Sequence, residues 1–184
     1  MSWVQIGGGM DVLVIPPLRY IRWTAKAAMP TVRNGLAAAA PGNGKLYAVG
    51  GNTGSATSAT NEEYDPSTNT WTAKAAMPTV RNGLAAAAPG NGKLYAVGGN
   101  TGSATSATNE EYDPSTNTWT AKAAMPTVRN GLAAAAPGNG KLYAVGGNTG
   151  SATSATNEEY DPSTNTWTAK AAMPTVRNGL AAAA

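Results

Sequence analysis

The sequence predicts an all-β protein built from repeated four-stranded units, and three observations lead there. From Trp23 to Ala184 the chain repeats with a period of 48 residues and no substitution, so one unit is read three times and begun a fourth. A fixed period of about 20 to 50 residues marks a solenoid, propeller or similar array, whose units bury their apolar faces only by stacking on one another. The composition holds 22 Gly, 12 Pro and only 12% charged residues, which suits a turn-rich β protein better than a helical or disordered one. Inside each unit, short β-rich runs alternate with strong turn signals.

In the unit that starts at Arg33, the first strand runs from Arg33 to Ala40 and ends at Pro41-Gly42-Asn43-Gly44. The Asn-Gly pair suits a tight hairpin, because both residues tolerate positive φ. The second strand, Lys45 to Gly51, reads KLYAVGG with apolar Leu46, Tyr47 and Val49, a β-rich run. The small, uncharged stretch NTGSATSATN then reads as a loop, and its chemical plainness marks a tolerant insertion point. Glu62, Glu63 and Tyr64 form a third strand before Asp65-Pro66, where the proline drives the preceding residue out of the α region. After a turn at Ser67 to Thr70, Trp71 opens a fourth strand, WTAKAAM, that ends at Met77-Pro78.

LAAAA and AKAAM are rich in the best helix former, yet Pro30, Gly35, Pro41 and Gly42 interrupt every stretch. An isolated helix needs roughly 12 to 15 unbroken residues and an apolar face, which alanine alone does not supply. The alanines fit an inner strand crowded near an axis, where sterics demand small side chains. Four antiparallel strands per unit is the shape of a propeller blade.

Within that frame Gly50-Gly51 end a strand, Tyr64 follows, and then Trp71; the trio recurs as Gly98-Gly99, Tyr112, Trp119 and as Gly146-Gly147, Tyr160, Trp167. This pattern, with its flanking YDP, NTW and MP-then-Arg, resembles the kelch repeat. The resemblance implies a β-propeller in which the Gly pair, Tyr and Trp are structural. Physics agrees: glycine admits close backbone approach, and Tyr and Trp bury large areas between blades.

The chain departs from that family where a His commonly follows Arg-x-Gly and Leu36, Leu84, Leu132 and Leu180 stand instead. With no His and no Cys, a copper site like that of kelch enzymes resembling galactose oxidase has no ligands here. Disulfides, thiolate metal sites and Ser-His-Asp chemistry are excluded on the same count. No cofactor or metal is expected. DPSTNTW falls short of a sialidase Asp box, lacking its glycine and spacing. The acidic Glu62, Glu63 and Asp65 read as a solvated strand edge.

The formal charge of +3 comes from the partial copies and from Arg19 and Arg22, since within a unit Lys74, Arg81 and Lys93 cancel Glu62, Glu63 and Asp65. That leaves no basic cluster for nucleic acid. The first 22 residues lack a basic start, and their apolar run from Val12 to Ile15 stops at Pro16-Pro17. They therefore show neither a signal peptide nor a span, and cytoplasm is the default compartment.

The ends suggest how the ring closes. WVQIGG resembles LYAVGG, and VLVIPP stands in for EEYDP before Trp23. On that alignment Trp3 to Gly8, Val12 to Ile15 and Trp23 to Met29 are the second, third and fourth strands of a mixed blade, whose innermost strand is Arg177 to Ala184. The expected domain is one propeller over 1–184, with a mixed blade from 1–32 plus 177–184 and repeats at 33–80, 81–128 and 129–176. Such latching satisfies open sheet edges. It gives a four-bladed monomer, with a two-chain, eight-bladed ring or an open fragment whose edges remain unpaired as the alternatives.

In this arrangement NTGSATSATN and MPTVRN share one face. Arg33, Arg81, Arg129 and Arg177 are then expected around a central mouth, able to bind a carboxylate, sulfate or phosphate, with Asn52, Asn100 and Asn148 on the same loop face. The competing reading has each Arg bonded to neighbouring carbonyls or to an acidic residue. Identical units argue against an asymmetric active site and fit either recent amplification or a consensus sequence. The expected function is a non-enzymatic kelch-like scaffold that binds protein or glycan, or a structural or designed repeat protein without an evolved ligand, without nucleic acid or membrane; the alternative is a carbohydrate-active enzyme such as a kelch-type sugar mutarotase.

Overall fold

The computed structural model describes residues 2–6, 10–14 and 23–183. Among them every regular element is a strand, and no helix is long and apolar enough to cross a membrane. β1 (Ser2–Ile6) and β2 (Met10–Val14) form a two-stranded sheet. Three four-stranded antiparallel blades follow, each in simple sequential order. The first comprises β3 (Ala37–Ala39), β4 (Leu46–Val49), β5 (Asn61–Asp65) and β6 (Thr70–Lys74). The second comprises β7 (Ala85–Ala87), β8 (Leu94–Val97), β9 (Asn109–Asp113) and β10 (Thr118–Lys122). The third comprises β11 (Ala133–Ala135), β12 (Leu142–Val145), β13 (Asn157–Asp161) and β14 (Thr166–Lys170).

The inner strand is shorter than Arg33 to Ala40, for a reason visible in its backbone. Gly35 takes a φ of 57°, and Asn34 leaves the ladder to pair with Asn52 across an isolated bridge. The glycine thereby meets its equivalent in the next blade: Gly83 N–H donates to Gly35 O, Gly131 to Gly83 and Gly179 to Gly131, each at 2.8 Å. This backbone ladder links blade to blade beside the inner strands.

The expected Asn-Gly hairpin is also corrected. Positive φ falls on Gly42 and Gly44 and not on Asn43. The Asn43 carboxamide instead accepts from Lys45 N–H at 3.1 Å and donates to Tyr47 Oη at 2.9 Å. On the same side of the blade, Asp65 Oδ1 accepts from Ser67 N–H at 2.8 Å, and Asn69 sits at a φ of 57° to close the second hairpin.

The core lies between blades. Strand alternation sends Ala37, Tyr47 and Val49 to one side of the first blade, where they pack with Met77 against Leu84, Leu94, Ala96 and Tyr112 of the second. The same contact recurs one unit on, from Tyr95, Val97 and Met125 to Leu132, Leu142, Ala144 and Tyr160. Alternate residues thus serve two interfaces, which is why LYAV is buried along its whole length in the middle blade.

The mixed blade differs from expectation in register and in pairing. The third strand is Met10–Val14, where Val12 to Ile15 was expected. Trp23–Met29 and Ala181–Ala183 carry no strand assignment, and β1 pairs with β2 alone among the described residues. Strands are defined by partners, and among the described residues neither segment joins a ladder. Gly7, Gly8, Ile15 and Ala184 lie outside the described residues.

Candidate functional site

The expected ring of arginines at an axial mouth is not what forms. Arg81 and Arg129 are fully buried, and Arg33 nearly so. Arg81 Nη1 donates to Gly98 O at 2.8 Å, Thr108 O at 3.1 Å and Ala96 O at 3.2 Å, while Nη2 meets Glu110 Oε2 at 2.7 Å. Thr79 Oγ1 donates to the same carboxylate at 3.0 Å. The Arg129–Glu158 pair at 2.6 Å and the Arg33–Glu62 pair at 2.8 Å repeat the arrangement. Burial lowers the pKa of Arg81 and Arg129, and the facing glutamates oppose that shift. Each guanidinium therefore clamps the middle strands of its own blade. Their bonds are directed inward, leaving Arg177, which is exposed, as the exception.

The glycine pair has a steric role. At Gly98, with a φ of 64°, an added Cβ would stand 2.5 Å from Arg129 O and 2.9 Å from Leu132 Cδ2. Gly99 N–H donates to Arg129 O at 2.8 Å, so the pair brings the backbone of one blade onto the linker to the next. Gly50-Gly51 and Gly146-Gly147 make the same approach to Arg81 and Arg177.

The aromatic residues span blade boundaries. Within each blade the Tyr and Trp rings pack tilted against each other, Tyr112 and Trp119 at 5.0 Å, Tyr64 and Trp71 at 5.1 Å, and Tyr160 and Trp167 at 5.0 Å. Trp119 Nε1 donates to Ala75 O of the preceding blade at 2.8 Å, and Trp167 to Ala123 O at 2.8 Å. Tyr47 and Tyr112 meet across the interface at 5.4 Å. Burial pushes Tyr112 and Tyr160 up to about 12.

Asn52, Asn100 and Asn148 hold the loop face together. Each Oδ1 accepts from the N–H two residues on at 2.7 Å, and their backbones bridge Asn34, Asn82 and Asn130. The loop itself is braced from the next blade, since Asn82 Nδ2 donates to Thr57 Oγ1 at 3.1 Å. That bracing makes NTGSATSATN less free than its composition suggested.

The open chemistry lies on the opposite, hairpin side. A cleft of about 510 Å³ runs between the second and third blades, lined by Asn91, Lys93, Tyr95, Glu111 and Lys122 on one wall and Gly140, Pro162 and Ser163 on the other. Tyr95 Oη donates to Glu111 Oε2, and Asn91 Nδ2 donates to Tyr95 Oη at 2.9 Å. Lys122 stands 3.2 Å from Glu111, and Lys93 pairs with Asp113. Desolvation, followed by the bond to Glu111, raises the Tyr95 pKa. The bond from Lys93 holds Asp113 well below the usual carboxylate range. The first blade carries the same set in Lys45, Tyr47, Glu63 and Lys74, with Lys74 at 3.2 Å from Glu63.

Sequence reasoning missed this cluster because it treated the unit's charges as a sum that cancels. The signal was present in the register: Tyr47 opposes Glu63, and Asn61 opposes Lys74. Residues at alternate positions of three adjacent strands therefore share one face.

No curated protein matches the chain. A solved structure titled "Structure of YjhT" superposes with a TM-score of 0.71 at 22% identity, over 85% of this chain and 57% of that one. The present chain thus spans a little over half the length of that neighbour. A family model described as the KLHDC2/KLHL20/DRC7 Kelch-repeats domain matches residues 13–183. Four-stranded blades held by a Gly pair, a Tyr and a Trp, together with a match over most of the sequence, place the chain in the kelch-repeat family.

Proposed function

We propose that the chain is a non-catalytic binding scaffold that engages a protein or glycan partner through the clefts on its hairpin side. The observation that carries this reading is the repeated cleft wall of Lys93, Tyr95, Glu111 and Lys122, with its counterpart one blade earlier in Lys45, Tyr47, Glu63 and Lys74. Ammonium, phenol and carboxylate groups at the rim offer hydrogen bonds to hydroxyls and carboxylates. Identical walls at a fixed pitch suit a partner that presents the same group repeatedly, because each further contact becomes intramolecular. The carboxylates Glu62, Glu110 and Glu158 are bound by arginine, and those at the rim by lysine. Such groups position well and transfer protons poorly, which supports binding over the mutarotase alternative.

Calorimetric titration with acidic oligosaccharides and with acidic peptides tests the proposal. Binding should weaken on Lys74→Ser combined with Lys122→Ser and fall with added salt. Binding indifferent to both changes would remove the cleft from consideration, and anomer exchange accelerated by the chain would favour the enzyme.

A further inference from the structure

Each unit carries two Asn-Gly pairs, one ahead of the inner strand and one in the hairpin that follows it. In the second unit these are Asn82-Gly83 and Asn91-Gly92, and in the third Asn130-Gly131 and Asn139-Gly140. Asparagine before glycine is the pair most prone to deamidation, because glycine has no side chain to shield its amide nitrogen from the carboxamide carbon. The glycine nitrogen bonds to Cγ, the Cγ–Nδ2 bond breaks, and ammonia leaves with the proton given up by the amide. Water then opens the cyclic imide at either carbonyl, giving aspartate or isoaspartate. The covalent chemistry is the same at both pairs, so the fold decides which of them reacts.

The fold treats the two oppositely. In the linker the attacking nitrogen is already engaged: Gly83 N–H donates to Gly35 O and Gly131 N–H to Gly83 O, each at 2.8 Å. The target is held as well, since Asn82 Nδ2 donates to Thr57 Oγ1 and Asn130 Nδ2 to Thr105 Oγ1, both at 3.1 Å. Reaction there requires a blade-to-blade contact to open first. In the hairpin, Asn91 and Gly92 are both exposed. Gly92 N–H meets no protein acceptor among the described residues, and nothing stands within 4 Å of where a Cβ would be. Lys93 N–H donates to Asn91 Oδ1 at 3.1 Å, which stabilises charge on the oxygen where the addition places it. Asn43 and Asn139 are exposed in the same way and accept from Lys45 and Lys141 N–H at 3.1 Å.

We propose that Asn43, Asn91 and Asn139 are sites of spontaneous deamidation, and that the glycine ladder between blades protects Asn82 and Asn130 from it. The modification falls on the cleft wall. Asn91 Nδ2 donates to Tyr95 Oη at 2.9 Å, and Tyr95 gives its own proton to Glu111. An ionised aspartate has no proton to donate, so after conversion two carboxylates face one phenol O–H. Lys93 and Lys122 are already paired with Asp113 and Glu111, and the new charge therefore leaves the wall acidic. Isoaspartate also lengthens the hairpin backbone. Each conversion thus weakens the hold of the cleft on an acidic partner, a consequence that rests on the binding role proposed above, whereas the modification itself does not.

Mass-spectrometric peptide mapping of the folded chain, aged in mildly alkaline buffer, tests the proposal without any ligand. Trypsin releases NGLAAAAPGNGK, which holds both asparagines of a unit, and fragmentation assigns the one converted. Asn34→Ser, at an exposed residue, gives the first unit a peptide of its own, so the remaining linker signal reports Asn82 and Asn130. The hairpin asparagine should convert faster than the linker one by on the order of tenfold or more, the factor that one protected hydrogen bond supplies. In urea the two rates should converge. Equal rates in the folded chain overturn the proposal, and so does a hairpin asparagine that does not convert. A linker that stays slow in urea overturns the ladder as the source of protection, because the adjoining residues then suffice.

Discussion

Arg81→Ala removes a side chain whose two terminal nitrogens serve three carbonyls and one carboxylate inside the second blade. Glu110 keeps only Thr79, and the carbonyls of Gly98 and Thr108 lose a buried donor. Breaking a buried ion pair from one side costs about 3–5 kcal/mol, because the remaining charge has no compensation. That is a large part of the roughly 5–15 kcal/mol that a domain has in total. For a chain of this size each kcal/mol lowers the midpoint by about 2–4 °C, so a loss on the order of 10 °C is expected. Arg177→Ala provides an internal control: the local sequence is identical, but the residue is exposed, and surface substitutions usually stay within about 0.5 kcal/mol. Calorimetry and urea unfolding at low protein concentration measure both. The reasoning is refuted if Arg81→Ala matches Arg177→Ala.

The glycines separate steric from conformational cost. Gly98→Ala places a Cβ 2.5 Å from Arg129 O at a φ of 64°, whereas Gly90→Ala at a φ of 88° meets nothing within 4 Å. The first should destabilise by more than about 2 kcal/mol and the second by about 1 kcal/mol, in urea midpoints; equal losses would discount the close approach. Alkaline pH probes the tyrosines at the interfaces. Tyr112 and Tyr160 are raised to about 12 by burial, against about 10 in the unfolded chain. Their folded pKa lies above the unfolded one, so the stability they contribute is complete below pH about 10 and is lost as pH rises to about 12. Ultraviolet titration of the folded chain should show these tyrosines ionising late, and a single transition near pH 10 without loss of structure would contradict the burial.

Strands and blades were legible because period, turn residues and alternation coincide in every unit. LYAV and EEYD fall where β-rich composition put them, within a residue or two at each end. The inner strand was overestimated because nothing local marks the hydrogen bond from Gly83 to Gly35 across a blade boundary. The arginines, expected at the start of the inner strands and facing a central mouth, lie ahead of those strands with their guanidinium groups turned into the blade. Their partners Glu62, Glu110 and Glu158 lie 29 residues away, and a sequence gives that separation without giving its geometry. The Lys-Tyr-Glu cleft was missed for a related reason: composition adds charges together, while a sheet sorts them by face.

Identical units also isolate what tertiary context contributes. Leu46, Leu94 and Leu142 share every local neighbour, yet one is 36% exposed and two are at 0%. Propensity and pattern are equal at the three positions, so the difference comes only from what stands beside the blade. The same holds for Arg33, Arg81, Arg129 and Arg177: three find a glutamate and the fourth turns to Thr175. Nearest-neighbour coupling of this kind makes stability a sum of unit and interface terms. A blade face without a covering neighbour forgoes one such term, as the exposure of Leu46 beside the buried Leu94 and Leu142 shows. For a sequence whose units do not differ, function then depends on surfaces that only neighbouring units create together, such as the cleft between the second and third blades.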